Sequence, residues 1–343
     1  MVMSGIRVVE DRQDAPKRPM TARQLASLIG VSQSAVSRAF TPSSSISPKL
    51  RERILKSARE IDYHPNAIAS MLTKQKTNIV GVVVSDVRNP FYPVLIEHLI
   101  RELQKVGLQS LMFYVTPGAR IEEQLVAIRT YNVDAVVVIA ATILPESELA
   151  WATQGRKAVL LTRQGEENLT TICCDNAAGS RAIVDHFHEI GCQKIGYVAG
   201  LTKSGVGFAR HNAFVTRLAE LGMRLAGTVS EESYSYDAGW RGALELSKEK
   251  PDAIYFASDI LALGGMDALR REKGISIPDD IVVAGFDDIE MASWPNYDLT
   301  TYKQPISKLV AETIGCLVSD KKVTNIHIAI PGELIVRTSS SRK

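Results

Sequence analysis

Residues 21–40 read TARQLASLIGVSQSAVSRAF. Thr21 and Ser32 are each N-cap residue types standing in front of a short run with helical apolar spacing. Leu25, Ala26, Ile29, Val31, Val36 and Ala39 then share one inner face. Gly30 can take the positive φ of a tight turn between the two runs, and Ala26 is small where two helices would cross. The stretch predicts a helix-turn-helix, with an ordinary helical hairpin of some other α domain as the competing reading. Ser47-Pro48 opens a third helix with proline at its first position and Leu50, Ile54, Ala58 and Ile61 on one face.

The charge distribution supports a head of this kind. The chain has 343 residues and a net charge of +2. Its first 77 residues carry 13 Lys/Arg against 6 Asp/Glu, a net +7, whereas the rest carry 27 against 32, a net −5. A basic first fifth joined to a mildly acidic remainder predicts a polyanion-binding head on a body that makes no contact with the polyanion. Residues 1–18 show no apolar periodicity and read as a disordered arm ending in Lys17-Arg18. After Tyr63-His64-Pro65-Asn66 comes AIASMLTKQKT. So short a segment forms at best a marginal helix in isolation, so a helix that folds on contact with DNA and a plain linker both remain open.

From Asn78 the pattern changes. IVGVVV, SLMFYV, AVVVIA, AVLL, TICC, KIGYVAG, DAIYFAS and DIVVAGFD are buried-strand candidates. Helices are expected between them, at about residues 92–106, 121–131, 177–190, 208–221, 238–248 and 261–272. Repeated βα units imply parallel sheets, and the chain length favours two open three-layer units over one closed barrel. In open sheets ligands sit at the carboxyl ends of strands. The residues just after each run are therefore the ones to inspect.

Several function classes are disfavoured. Cys173, Cys174, Cys192 and Cys316 have neither zinc spacing nor the look of a secreted disulfide framework. No signal peptide and no run of about 18 apolar residues is present. A soluble cytoplasmic protein without a membrane association is expected. Asp185-His186-Phe187-His188 does not put its two histidines on one helix face, and the segment reads as a solvated helix surface rather than a metal site. Asp287-Asp288 has no nucleophile or phosphate loop beside it. No catalytic constellation, metal or cofactor is expected.

At TARQLASLIGVSQSAVSRAF, ISPKLRERI and YHPNAIASML the chain resembles the lactose and galactose repressor family of bacterial transcription regulators. VGVVVSDVRNPFY, DNAAGSRAIVDHF, GCQKIGYVAG, ARHNAF, FASDILALGGM, DIVVAGFDD and LTTYKQP continue the likeness in order over about residues 20–338. The resemblance implies an all-α helix-turn-helix head at 19–64 and a hinge helix and linker at 65–77. Next would come an α/β effector domain like the periplasmic sugar-binding proteins, made of two doubly wound parallel-sheet subdomains. These would be 78–174 plus 303–331 and 175–302 plus 332–338, with a tail at 339–343. It also implies a homodimer that reads a near-palindromic double-stranded operator and is controlled by a carbohydrate-derived effector bound between the two subdomains. The alternatives are a small-molecule binding protein or an enzyme of the same core fold with an appended DNA-binding head.

Within that frame Gln33, Ser34 and Arg38 lie on the recognition helix. Arg38 can bind guanine bidentately and Gln33 adenine, each worth ~1–3 kcal/mol of discrimination. Thr21, Ser37 and Ser47 suit phosphate contacts, and Ser32, after which the recognition helix begins, belongs to the same DNA-binding set. The resemblance makes Leu72 a hinge wedge in the minor groove, with Asn66 and Ala69 on the same side. Phe91, Tyr92, Thr162, Arg210, Tyr234, Asp259, Asp287 and Gln304 would line the effector cleft. Arg and Asp would take up hydroxyls and the aromatic faces a sugar ring. Asp259 also reads as the N-cap of the following helix. The chain departs from the pattern at Thr162, where sugar-responsive members carry an acid, and at Val206, where polar contacts are usual. Thr162-Arg163 could thus favour a phosphorylated or acidic ligand.

Overall fold

The computed structural model describes residues 20–41, 44–65, 76–85, 87–116, 122–139, 156–163, 169–202, 204–231, 233–319 and 326–341. The arm and the hinge residues Asn66, Ala69 and Leu72 lie outside the described residues. The chain divides into two compact units, Met1–Thr77 and Asn78–Lys343.

The first unit holds α1 (Ala22–Ile29), α2 (Gln33–Ala39) and α3 (Pro48–Glu60). Each begins at a side-chain cap. Thr21 forms a reciprocal capping box with Gln24, Ser32 accepts from the Ala35 amide at 3.1 Å, and Ser47 accepts from the Leu50 amide at 3.3 Å. Gly30 ends α1 at φ 67, a left-handed position that any side chain would strain. Leu25, Ala26, Val36, Ala39, Ile54 and Ala58 close a small core, and Tyr63 seals it with its ring edge-on to Phe40 at 5.7 Å.

The second unit contains two six-stranded sheets. The first comprises β1 (Ile79–Val84), β2 (Gln109–Tyr114), β3 (Ala135–Ile139), β4 (Lys157–Leu161), β5 (Thr170–Cys174) and β11 (His327–Ile330), in the order β11-β5-β4-β3-β1-β2. The second comprises β6 (Lys194–Ala199), β7 (Arg224–Ser230), β8 (Ala253–Phe256), β9 (Val282–Asp287), β10 (Thr300–Lys303) and β12 (Glu333–Ile335), in the order β12-β10-β9-β8-β6-β7. All neighbours run parallel except β10 and β12. Among the described residues of this unit the α-helices are α4 (Phe91–Lys105), α5 (Glu122–Thr130), α6 (Asn176–Glu189), α7 (Gly205–Glu220), α8 (Tyr236–Ser247), α9 (Asp259–Lys273) and α10 (Ile306–Val318). The sheets are joined three times by the chain, between β5 and α6, between β10 and α10, and between β11 and β12.

Strands β3, β5 and β9 are buried along their whole length, because helices cover both faces of an interior parallel strand. That is why they stand out as continuous apolar runs. Strand β7 is an edge with mostly exposed or half-buried residues, so RLAGTVS carries no such run and was not expected as a strand. Helix α10 was not expected either.

The histidine segment needs correction. His186 and Phe187 are buried, and the His186 Nε2 lies 2.7 Å from Ser340 Oγ, so this stretch of α6 is not a solvated surface. Burial holds the His186 imidazole below its ordinary range. Residues two positions apart on a helix point about 200° apart, and His186 takes the inward side while His188 is exposed.

Candidate functional site

The head presents one candidate surface. Gln33, Ser34, Ser37 and Arg38 are all exposed along α2, on the side opposite Val36 and Ala39. Gln33 and Ser34 occupy the first turn, where free backbone amides and the helix dipole favour an anion. Thr21 and Ser47, read from sequence as phosphate contacts, already serve as N-caps, as Ser32 does for α2. The two roles can be separated. Asp caps a helix about as well as Ser but carries a negative charge. Ser47→Asp is therefore expected to leave the melting temperature of the head almost unchanged and to weaken DNA binding several-fold, whereas Ser47→Ala should lose about 0.5–2 kcal/mol of head stability. Equal DNA binding by Ser47→Asp and the parent protein in a mobility-shift titration would remove Ser47 from the interface.

In the second unit, the strand order of each sheet reverses beside its first strand, at β1/β3 and at β6/β8. Such switch points open a crevice at the carboxyl ends of the strands. Arg210 stands on α7, just after β6, and is only 5% exposed. Its Nε donates to Asn176 Oδ1 at 2.8 Å, its Nη1 donates to the Ala257 carbonyl, and its guanidinium lies 3.6 Å over the Phe286 ring. These contacts hold the plane of the group. The remaining Nη2 faces Asp287 Oδ1 at 3.7 Å, an ion pair too long for a hydrogen bond.

Asp287 ends β9 at φ 127 and Asp288 follows at φ 57. Two successive residues in the left-handed half of φ space turn the Asp287 carboxylate toward Arg210. The Gln304 side chain donates to it through Nε2 at 2.6 Å, and Asn89, from the loop after β1, hydrogen-bonds to it from the other sheet. Asn89 Oδ1 meanwhile accepts from the Phe91 amide at 3.1 Å and tethers the start of α4. Phe91 is buried and packs edge-on against half-buried Tyr92, 5.5 Å away. Tyr234 lies against the end of β6, where a Cβ added to Gly200 would sit 2.2 Å from its ring. Thr162 follows β4 at φ 64 with a buried hydroxyl that has no partner among the described residues, and the buried hydroxyl of Ser258, after β8, is in the same condition.

The structure thus brings Arg210, Asp287 and Gln304 together. It adds Asn89 and Asn176, which the sequence reading passed over although both follow strands in the quoted motifs. Asp259 stands apart. Ser258, not Asp259, is the N-cap residue of α9, and the Asp259 carboxylate accepts from Thr301 Oγ1 at 2.6 Å and from the Ile289 amide at 2.9 Å. Both of its oxygens are engaged inside the protein.

Burial and the neighbouring Asp287 push the Asp259 carboxyl up to about 8. Burial also raises Asp287, to about 6, against the lowering pull of Arg210, Gln304 and Asn89. The folded state therefore holds these protons more tightly than the unfolded chain, whose carboxyls titrate near 4, so stability falls as pH rises from about 4 to 8. Asp259→Asn is expected to flatten that slope in denaturant titrations at several pH values. An unchanged slope would contradict the assignment. The Glu220 carboxylate, held at about 2 mainly by hydrogen bonds from Arg181 and Arg217, acts in the opposite sense and in a separate window below pH 4.5.

All four cysteines are free and buried, and burial raises the Cys173 and Cys174 thiols to about 11 and about 12. Among the described residues no group of His, Cys, Asp and Glu could hold a metal ion, and no helix is long and apolar enough to cross a membrane.

A three-helix head and a paired-sheet core with a polar crevice define a two-module binding protein. The family model for bacterial regulatory proteins of the lacI family matches residues 21–66 and that for the periplasmic binding protein-like domain matches residues 184–340, so the chain carries a lacI-family helix-turn-helix head and a periplasmic binding protein-like domain. It is 27% identical over 326 residues to a ribose operon repressor of Halalkalibacterium halodurans, covering 93% of this chain and 97% of that one. It is also 27% identical to the transcriptional regulator CelR of Thermobifida fusca, covering 94% and 99%. The crystal structure of a lac repressor dimer bound to operator and an anti-inducer superposes with a TM-score of 0.85 at 24% identity, over 94% of this chain and all of that one. A CelR–cellobiose complex superposes with a TM-score of 0.69 at 24% identity, again over 94% and 100%. At such identities the superpositions speak for the fold alone.

Proposed function

We propose that this protein is a sequence-specific transcription repressor of a catabolic operon. It would bind a near-palindromic double-stranded operator as a homodimer and answer to a small carbohydrate-derived effector between the two sheets. The observation that carries the reading is the pairing, in one chain, of a capped helix-turn-helix with a crevice where a fixed guanidinium faces a carboxylate at 3.7 Å. The relatives named as a ribose operon repressor and a cellobiose-bound regulator support a sugar. Arg210 and Asp287 already balance each other in charge, and an anionic ligand would meet a buried carboxylate. A neutral polyhydroxylated effector is thus favoured over the phosphorylated or acidic one that Thr162-Arg163 suggested. Thr162 and Ser258 would supply two further hydroxyls, with Phe91, Tyr92 and Tyr234 as apolar walls.

Gln33 and Arg38 would read bases, while Ser34, Ser37 and the capped helix starts would position the head on phosphates. Asn66, Ala69 and Leu72 would act in the minor groove. The effector would shift a two-state equilibrium of the crevice, and the same coupling would make operator and effector change each other's affinity by one factor. The reading places the protein in the cytoplasm and gives it no catalytic step. The test is selection of bound sequences from random DNA, followed by mobility shifts in the presence of neutral sugars, sugar acids and sugar phosphates. Enrichment of a two-fold symmetric site that one neutral sugar weakens or strengthens is the expected result. Failure of any symmetric site to enrich would overturn the reading.

A further inference from the structure

The Asp287–Asp288 turn poses a physical problem. Residues other than glycine are strained at positive φ, and two in succession persist only where the surroundings over-determine them. The described structure shows what does so. Arg337, on the segment that follows β12, donates through Nη2 to Asp288 Oδ1 at 2.7 Å and through Nη1 to the Leu299 carbonyl at 2.7 Å. Both side chains of this ion pair are largely buried, at 16% and 13% exposure. The segment is itself stitched to sheet two. Thr300 Oγ1 accepts from the Arg337 amide at 2.8 Å, Ser339 Oγ donates to the Val283 carbonyl at 2.7 Å, and Ser340 Oγ lies 2.6 Å from Thr300 Oγ1. On the other flank the Asp288 amide donates to Thr301 Oγ1 at 3.3 Å, and the next amide, Ile289, donates to Asp259.

We propose that Arg337, backed by Ser339 and Ser340, is a positioning residue for the crevice: it clamps the left-handed Asp287–Asp288 turn so that the Asp287 carboxylate faces Arg210. The link to an effector rests on the function proposed above; the clamp itself does not. A lysine could not replace it, because the planar guanidinium serves Asp288 and the Leu299 carbonyl at once. Lys303, 3.7 Å from Asp288 and half-exposed, is already on the other carboxylate oxygen.

The test uses the full-length chain without ligand, comparing Arg337→Gln, the double variant Asp288→Asn/Arg337→Gln and the parent. Two quantities are read: amide hydrogen exchange over residues 285–291, against strand β8 as the control, and the titration midpoint of the Asp287 carboxyl by carbon NMR. In Arg337→Gln the turn is expected to exchange roughly tenfold faster or more while β8 is unchanged. The Asp287 midpoint should fall from about 6 toward the ordinary value near 3.9 as the carboxylate leaves its buried place. The double variant should recover both, since an amide pair can replace the ion pair without leaving a buried charge. A general loss of stability would not move the midpoint selectively or be rescued at position 288. Parent-like exchange and midpoint in Arg337→Gln would overturn the proposal, and so would failure of both variants to fold. If Asp287→Asn leaves sugar responses intact, the effector reading fails while the clamp stands.

Discussion

Arg210→Met is expected to abolish the effector response and to cost the second unit about 3–5 kcal/mol, the range for breaking a buried ion pair from one side. The cost has identifiable parts. Asp287 loses the charge that offsets its burial, and Asn176 Oδ1 and the Ala257 carbonyl lose their donor. Met keeps much of the packing against Phe286, so the change tests charge and hydrogen bonding more than volume. The Asp287 carboxyl should then titrate above its parent value. The head is a separate unit, so affinity for a selected operator without effector should stay within a few-fold. The checks are denaturant unfolding, sugar-dependent mobility shifts and operator titration. A variant that still responds to the sugar that controls the parent would remove Arg210 from the site.

Arg38→Ala is expected to cost about 1–3 kcal/mol on the selected operator and to relax the preference at one base pair of each half-site. Arg38 is exposed in the last turn of α2, while Val36 and Ala39 on the same helix are buried, so the truncation should leave the head folded. The salt dependence separates the possibilities. A guanine contact predicts loss of discrimination at a defined position. A phosphate contact predicts uniform weakening over all sequences and a salt slope smaller by about one. The second pattern would move Arg38 from base reading to backbone positioning.

The head was almost wholly legible in the chain. Its caps, its glycine turn and its apolar spacing are local properties, and a sequence of 20 residues expresses them without help from elsewhere. Interior strands such as IVGVVV and AVVVI were equally plain, because burial on both faces demands an unbroken apolar run. Edge strand β7 lacked that demand and left no such mark. The crevice was legible only in part. Arg210, Asp287 and Gln304 stand at strand ends, which a topology argument can find, but Asn89 and Asn176 matter through partners 198 and 34 positions away. Asp259 looked like a helix cap and proved to be tied to Thr301 and Ile289 instead.

By itself, then, the amino-acid sequence determined the helix-turn-helix, the alternation of strands and helices, and the division of charge between a basic head and an acidic body. Only the tertiary structure decided which side chains share the crevice, that His186 is buried, and that an arginine beyond the last strand holds the strained turn behind Asp287. The physical reason is range. Capping, turn formation and apolar periodicity act over a few residues, whereas hydrogen bonds and ion pairs form between whatever the sheet order brings within about 3–4 Å.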